Sequence, residues 1–205
     1  MYPLLIQKLI DLFSKFPTVG PRTASRFVFY LLRLPKKEFD DLISTVSNIR
    51  NNIKICRFCS NIFEGGGSFC SICSNPGRDK NLLCVVEKEN DLVSLEKTKG
   101  YNGIYFILGG TVSKLKKNDT EKIKAKELEK KIKSPKNFGL LDASFKEIIL
   151  ALNPTTEGEA TALYLERLLK PLNLKITRLG RGLPTGAELE YADDETLKAA
   201  FEGRK

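Results

Sequence analysis

Histidine and tryptophan are absent from this 205-residue chain, and methionine occurs once. Without histidine there is no Ser-His or Cys-His nucleophile pair and no imidazole metal ligand. The side chain that most readily titrates near pH 7 is missing with it. Long apolar runs are also missing. Stretches such as Phe27 to Leu32 and Ile104 to Leu108 stop at six and five residues, far short of the roughly 20 that a transmembrane helix needs. The N-terminal pattern carries Lys8 and Asp11 and has no charged head before a clean apolar run, so no signal peptide is expected. Acidic residues are in deficit: 25 Asp+Glu against 34 Lys+Arg give +9 and a pI near 9.3. That excess points to polyanions, or serves only solubility. A cytosolic protein is expected, and in that compartment cysteines are more often metal ligands than disulfides.

What is present falls into four stretches. Leu4, Leu5, Leu9, Leu12 and Phe13 recur at helical spacing until Phe16-Pro17 stops them. After Thr18-Val19-Gly20-Pro21 a second helix runs through Ala24, Phe27, Val28 and Leu31. A third fits Lys36 to Ile53, with Phe39, Leu42, Ile43, Val46 and Ile49 on one face. Cys56 to Arg78 is small and Gly-rich. Beyond it, Leu82–Val86, Ile104–Leu108 and Ile148–Leu152 are continuous apolar runs of strand length, separated by helical segments. Such runs predict a mostly parallel sheet covered on both faces. Leu174 to Leu179 makes a fourth strand, and a last helix opens at Asp193 or Asp194. The expected modules are residues 1–54 (helical), 55–78 (cysteine), 79–178 (α/β) and 179–205 (C-terminal segment).

Cys56-x2-Cys59, ten residues, then Cys70-x2-Cys73 is the strongest chemical signal. Each knuckle brings two thiolates to one side of a tight turn, and together they complete a tetrahedron around zinc at about 2.3 Å per bond. Four thiolates leave no open position for water, so one structural zinc per chain is expected. Two disulfides or an iron–sulfur cluster are the alternatives. Cys84, inside an apolar run, reads as core filling.

Phe16 to Arg26 looks like a helix-hairpin-helix, in which a turn and the following helix N-terminus aim N–H groups at a phosphate. Gly20, Arg22 and Arg26 are the candidate DNA contacts; an ordinary αα-hairpin with two solvated arginines is the competing interpretation. In the α/β segment, Glu87 ends one strand and Asn153-Pro154-Thr155 follows another. Glu157 and Glu159 open the next helix. Ligands of open parallel sheets bind beyond such strand ends. One strand-end carboxylate with Asn-x-Thr makes a poor magnesium cage, so Glu87, Asn153, Glu157 and Glu159 read as caps or as a partner-facing surface. Between Lys114 and Lys136, ten lysines face four acids; residues 1–60 carry ten basic and four acidic side chains. The lysine run reads as a solvated face, with nucleic-acid contact as the alternative.

Over nearly its whole length the chain resembles the RecR family of bacterial recombination mediators. The match is carried by Pro17-Thr18-Val19-Gly20-Pro21-Arg22, the Cys56–Cys73 cluster with Ile72-Cys73-Ser74-Asn75-Pro76, and Val85-Val86-Glu87. It continues in Asn153-Pro154-Thr155-Thr156-Glu157-Gly158-Glu159-Ala160-Thr161 and in Gly182 to Glu190. The resemblance implies a helix-hairpin-helix, a four-cysteine zinc finger, a Toprim domain and a C-terminal segment. It also implies a homo-tetrameric ring on single- and double-stranded DNA. In this family the ring acts with RecO and RecF to help load RecA onto DNA covered by single-strand-binding protein, without catalysis and away from membranes. Catalytic Toprim domains pair a glutamate with Asp-x-Asp; here Glu87 aligns with the glutamate, while Asn153 and Thr155 replace the aspartates. Two departures stand out. Thr18 occupies the first hairpin glycine, and Thr111 to Asn118 replaces the family's usual Ser-Pro-Leu-Asp-Gly-Ile-Gly-Pro-like loop.

Overall fold

The computed structural model describes residues 2–112, 123–180 and 182–204. The chain divides into two units, Met1–Ile53 and Lys54–Lys205. In the first, α1 (Leu4–Phe13) and α2 (Pro21–Leu31) form an antiparallel hairpin, and α3 (Lys36–Asn52) follows. Prolines place the starts: Pro3 and Pro35 precede α1 and α3, and Pro21 is the first residue of α2, where a missing N–H costs nothing. Ile10, Ala24 and Val28 are the buried cluster of this unit, and α3 buries none of its residues.

Across the boundary into the second unit come β1 (Ile53–Ile55) and β2 (Ile62–Glu64), a two-stranded ribbon carrying the first cysteine knuckle, and then α4 (Ser71–Ser74), carrying the second. These three-residue strands have too little pattern to stand out in the sequence. A four-stranded sheet then follows in the order β4-β3-β5-β6, from β3 (Asp79–Val86), β4 (Gly103–Ile107), β5 (Glu147–Ala151) and β6 (Lys175–Arg178). All three pairings are parallel; Val86 of β3 sits opposite Ile107 of β4 and Ala151 of β5. Between strands run α5 (Glu89–Lys97), α6 (Ala125–Lys133) and α7 (Thr156–Leu169), and α8 (Asp194–Glu202) ends the chain. The continuous apolar runs are the buried strands, as parallel strands covered on both faces require. The order of strand addition reverses at β3, since β4 lies on one side and β5 on the other. The switch point, where open α/β sheets bind their ligands, therefore falls between the C-terminal ends of β3 and β5.

Candidate functional site

The cysteine knuckles are assembled by backbone bonds. Cys56 donates its N–H to the Asn61 carbonyl at 2.8 Å, and Ser60 donates to Cys56 at 3.1 Å. Ser60, in the left-handed region at φ 63°, turns the chain back on itself. All four sulfurs lie within 4.8 Å of one another, and Cys59 and Cys70 approach to 3.5 Å. Tetrahedral zinc with bonds of about 2.3 Å needs sulfur–sulfur edges of roughly 3.8 Å, so the four donors fit that ion. Cys56, bonded by Cys59, Cys70 and Cys73, is held far below the ordinary thiol range. Cys73 is pushed far above it by Cys56, Cys59 and Cys70. Sulfurs this close share protons, and only a cation lets all four ionise. Cys84 stands apart in β3, buried, its thiol pushed up to about 12 by that burial.

This module is built onto the edge of the α/β sheet. The Cys59 carbonyl accepts the Ile107 N–H at 2.9 Å, so the first knuckle pairs with the open side of β4. Phe58 packs on Phe145 with ring centroids 5.7 Å apart. Phe69 lies over Gly139, whose φ of +87° and missing Cβ leave room for the ring. Arg57 donates to the Asn137 carbonyl at 3.1 Å.

At the switch point the structure joins Glu87 and Asn153, which are 66 residues apart in sequence: the Asn153 amide donates to Glu87 at 2.9 Å. The Lys88 ammonium sits 2.8 Å from the other carboxylate oxygen. Burial raises the Glu87 pKa, but the bonds from Lys88 and Asn153 outweigh it and hold the carboxyl below its ordinary range. The other two acids are not brought to Glu87. Glu157 is exposed, and Glu159 pairs with Arg178 of β6 at 2.8 Å. Thr155 caps α7 by accepting the Gly158 N–H at 3.1 Å. Among the described residues, the four cysteines are the one group of three or more Cys, Asp or Glu side chains clustered closely enough for a metal. A cleft of about 610 Å³ lies beside Asn153, between Asp91, Arg178 and the first turn of α8.

In the hairpin, Gly20 precedes α2 with φ −84° and ψ 170° and offers no side-chain cap. The first N–H groups of α2 therefore keep their hydrogen-bonding capacity for another acceptor. Arg22 and Arg26 are both exposed, one turn apart. Thr18 adopts φ 64°, the conformation for which glycine is favoured, and keeps the turn tight at the cost of strain.

Sequence reasoning missed two residues. Thr161, fully buried, accepts the Val112 N–H at 2.9 Å and ties the loop after β4 to α7; its place in the Asn153–Thr161 motif was the available signal. Lys131, expected on a solvated lysine face, is 2% exposed. Lys114, Lys116 and Lys117 of that run, and most of the departing Thr111–Asn118 loop, lie outside the described residues.

Comparison with known proteins agrees with this geometry. The RecR helix-hairpin-helix family model matches residues 6–49, the Toprim domain model residues 81–180, and the RecR C-terminal model residues 182–205. A recombination protein RecR from Clostridium perfringens is 41% identical over 203 residues, covering 99% of this chain and 97% of the relative. One from Dehalococcoides mccartyi is 45% identical over 201 residues, covering 98% and 94%.

Proposed function

The chain belongs to the RecR family of recombination proteins, and from that membership we propose a non-catalytic mediator of recombinational DNA repair, working in the cytoplasm and on the nucleoid. Its modules follow residues 1–54, 55–78, 79–178 and 179–205. The hairpin grips single- or double-stranded DNA, one zinc on Cys56, Cys59, Cys70 and Cys73 stiffens the finger, and the Toprim surface around Glu87, Asn153, Glu157 and Glu159 docks partners. RecO and RecF are those partners, RecA loading is the outcome, and a homo-tetramer is the working particle.

The uncapped α2 N-terminus with exposed Arg22 and Arg26 beside it carries the DNA proposal. Main-chain N–H groups and arginines of this kind favour phosphates, which give affinity without reading sequence. For catalysis, magnesium needs several converging carboxylates. Glu87 faces an amide and an ammonium instead, which favours a binding surface. Magnesium-dependent cleavage or ligation lost in Glu87→Gln would reverse that reading.

Salt dependence tests the DNA site. Each phosphate contact on duplex DNA contributes about −0.9 to the slope of log K against log salt. Arg22→Ala/Arg26→Ala is expected to lower affinity equally on unrelated sequences and to flatten the slope by about 0.9 per lost contact. Neutralising Lys114, Lys116 and Lys117 is expected to cost less. Wild-type affinity and slope in the hairpin variant would make the hairpin a folding or assembly element.

A further inference from the structure

Lysine is among the side chains least often fully buried, and when buried it is paired. Lys131 of α6 is buried to 2% exposure, and its partners are all cation acceptors. The ammonium donates to the Phe58 carbonyl at 2.7 Å and to the Glu127 carboxylate at 2.6 Å. It also lies 5.9, 5.3 and 5.5 Å from the ring centroids of Phe58, Phe106 and Phe138. Three aromatic faces and two oxygens form a built cation site, occupied by the chain's own lysine. The Phe58 carbonyl belongs to the peptide whose nitrogen is that of Cys59, so the charge stands one peptide unit from a metal ligand. Resting on the zinc proposal above, we infer that Lys131 is the buried counter-charge of the four-cysteine centre, positioning its first knuckle and offsetting its negative charge.

Electrostatics favour such a group. One Zn²⁺ with four thiolates carries a net charge of −2. Here the four cysteines are no more than 3% exposed, so water screens that charge poorly. Main-chain donors reach it from Asn61, Cys70 and Cys73, and none of these brings a full positive charge. The Asn61 N–H reaches the Cys59 sulfur at 3.4 Å. Arg57, the cation on the knuckle itself, is exposed and turned to the Asn137 carbonyl. Glu127 pairs with Lys131 at 2.6 Å from a side chain that is 43% exposed, so it balances the ammonium only on the side facing the surface. On its other side the ammonium is bonded to the Phe58 carbonyl, whose peptide carries the Cys59 nitrogen, so there its charge acts on the first knuckle. Outer-shell groups that orient or polarise metal ligands commonly change metal affinity by about 10- to 100-fold.

The test measures zinc affinity of the full-length protein by competition with a chromophoric chelator, in wild type, Lys131→Met and Glu127→Gln. Methionine keeps the length and apolar stem of lysine and removes the charge, so zinc affinity is expected to fall about tenfold. Glu127→Gln removes the opposing carboxylate at the surface and is expected to hold zinc as tightly as wild type or more tightly. A simple ion-pair anchor predicts weaker zinc in both variants, and that result would overturn the inference. So would unchanged affinity in Lys131→Met, which would make the residue mere packing. If Lys131→Met fails to accumulate, the Glu127→Gln comparison decides alone, because its direction separates counter-charge from anchor. Wild-type protein that holds no zinc would instead sink the zinc proposal beneath it.

Discussion

Thr18 and Glu87 show how single side chains carry the tension between local preference and tertiary demand. Thr18 holds φ 64° with a β-branched side chain, a conformation that costs about 1–2 kcal/mol for an L-residue. Its hydroxyl bonds the Pro17 carbonyl at 2.6 Å, an exposed local contact that recovers little. Thr18→Gly removes the strain but adds freedom to the unfolded chain, worth about 0.5–1 kcal/mol the other way. A net gain of roughly 0.5 kcal/mol is expected from these two terms, read as a higher urea midpoint; a loss would mean that the threonine side chain holds the turn. Glu87 tests pH. Its folded pKa lies below the ordinary 4.5 because Lys88 and Asn153 together outweigh burial. A depressed carboxyl contributes stability above its unfolded pKa and loses it as pH falls through the folded one. Wild type should therefore lose its advantage over Glu87→Gln as pH drops below about 4.5. A gap constant from pH 7 to pH 3 would show that the carboxylate is not the stabilising species.

Among the elements, the turn from β5 into α7 and the finger against β4 do the positioning. A Cβ on Gly158 would fall on the Asn153 carbonyl, so only glycine lets the first turn of α7 lie so close to the strand end. Gly158→Ala is expected to cost about 2–3 kcal/mol, the upper part of the usual range for a single substitution. Asn153 would be displaced from Glu87 with it. Thermal unfolding measures the first effect, and the return of the Glu87 pKa toward 4.5, by NMR titration, measures the second. The finger is an edge cover as well as a metal site, since Cys59 pairs with Ile107 on the outer strand of the sheet. Metal binding at such a site is coupled to folding. Cys73→Ser is expected to lower zinc content and melting temperature together. Elemental analysis and calorimetry on one preparation check this, and full stability without zinc would contradict it.

At the scale of the molecule, the first unit is short of core. Its buried cluster is Ile10, Ala24 and Val28. On α3, Phe39, Leu42, Ile43, Val46 and Ile49 are 38–57% exposed although they share one face. A helix draws most of its stability from packing an apolar face, and a unit of about 50 residues supplies little core of its own. That face suits association between copies, in keeping with the proposed tetramer. Native mass measurement is expected to find four 23.0 kDa chains, 4 × 23.0 or about 92 kDa. Ile43→Asp with Val46→Asp should shift the mass down. Tetramers that persist would leave the α3 face outside the assembly.

The sequence by itself determined whatever depends on short-range period or fixed spacing. The cysteine knuckles, the apolar runs of β3, β4 and β5, the hairpin and the Asp193 cap of α8 are all local patterns, and each is in place. Tertiary structure decided what depends on partners far along the chain. The Glu87–Asn153 bond spans 66 residues and the Lys131–Phe58 bond 73. Glu159 is turned to Arg178 rather than to Glu87. A lysine-rich run reads as solvated because lysine in water is the cheaper state by default. Only the finger's carbonyl and three converging rings, brought by separate elements, make burial of one of those lysines favourable.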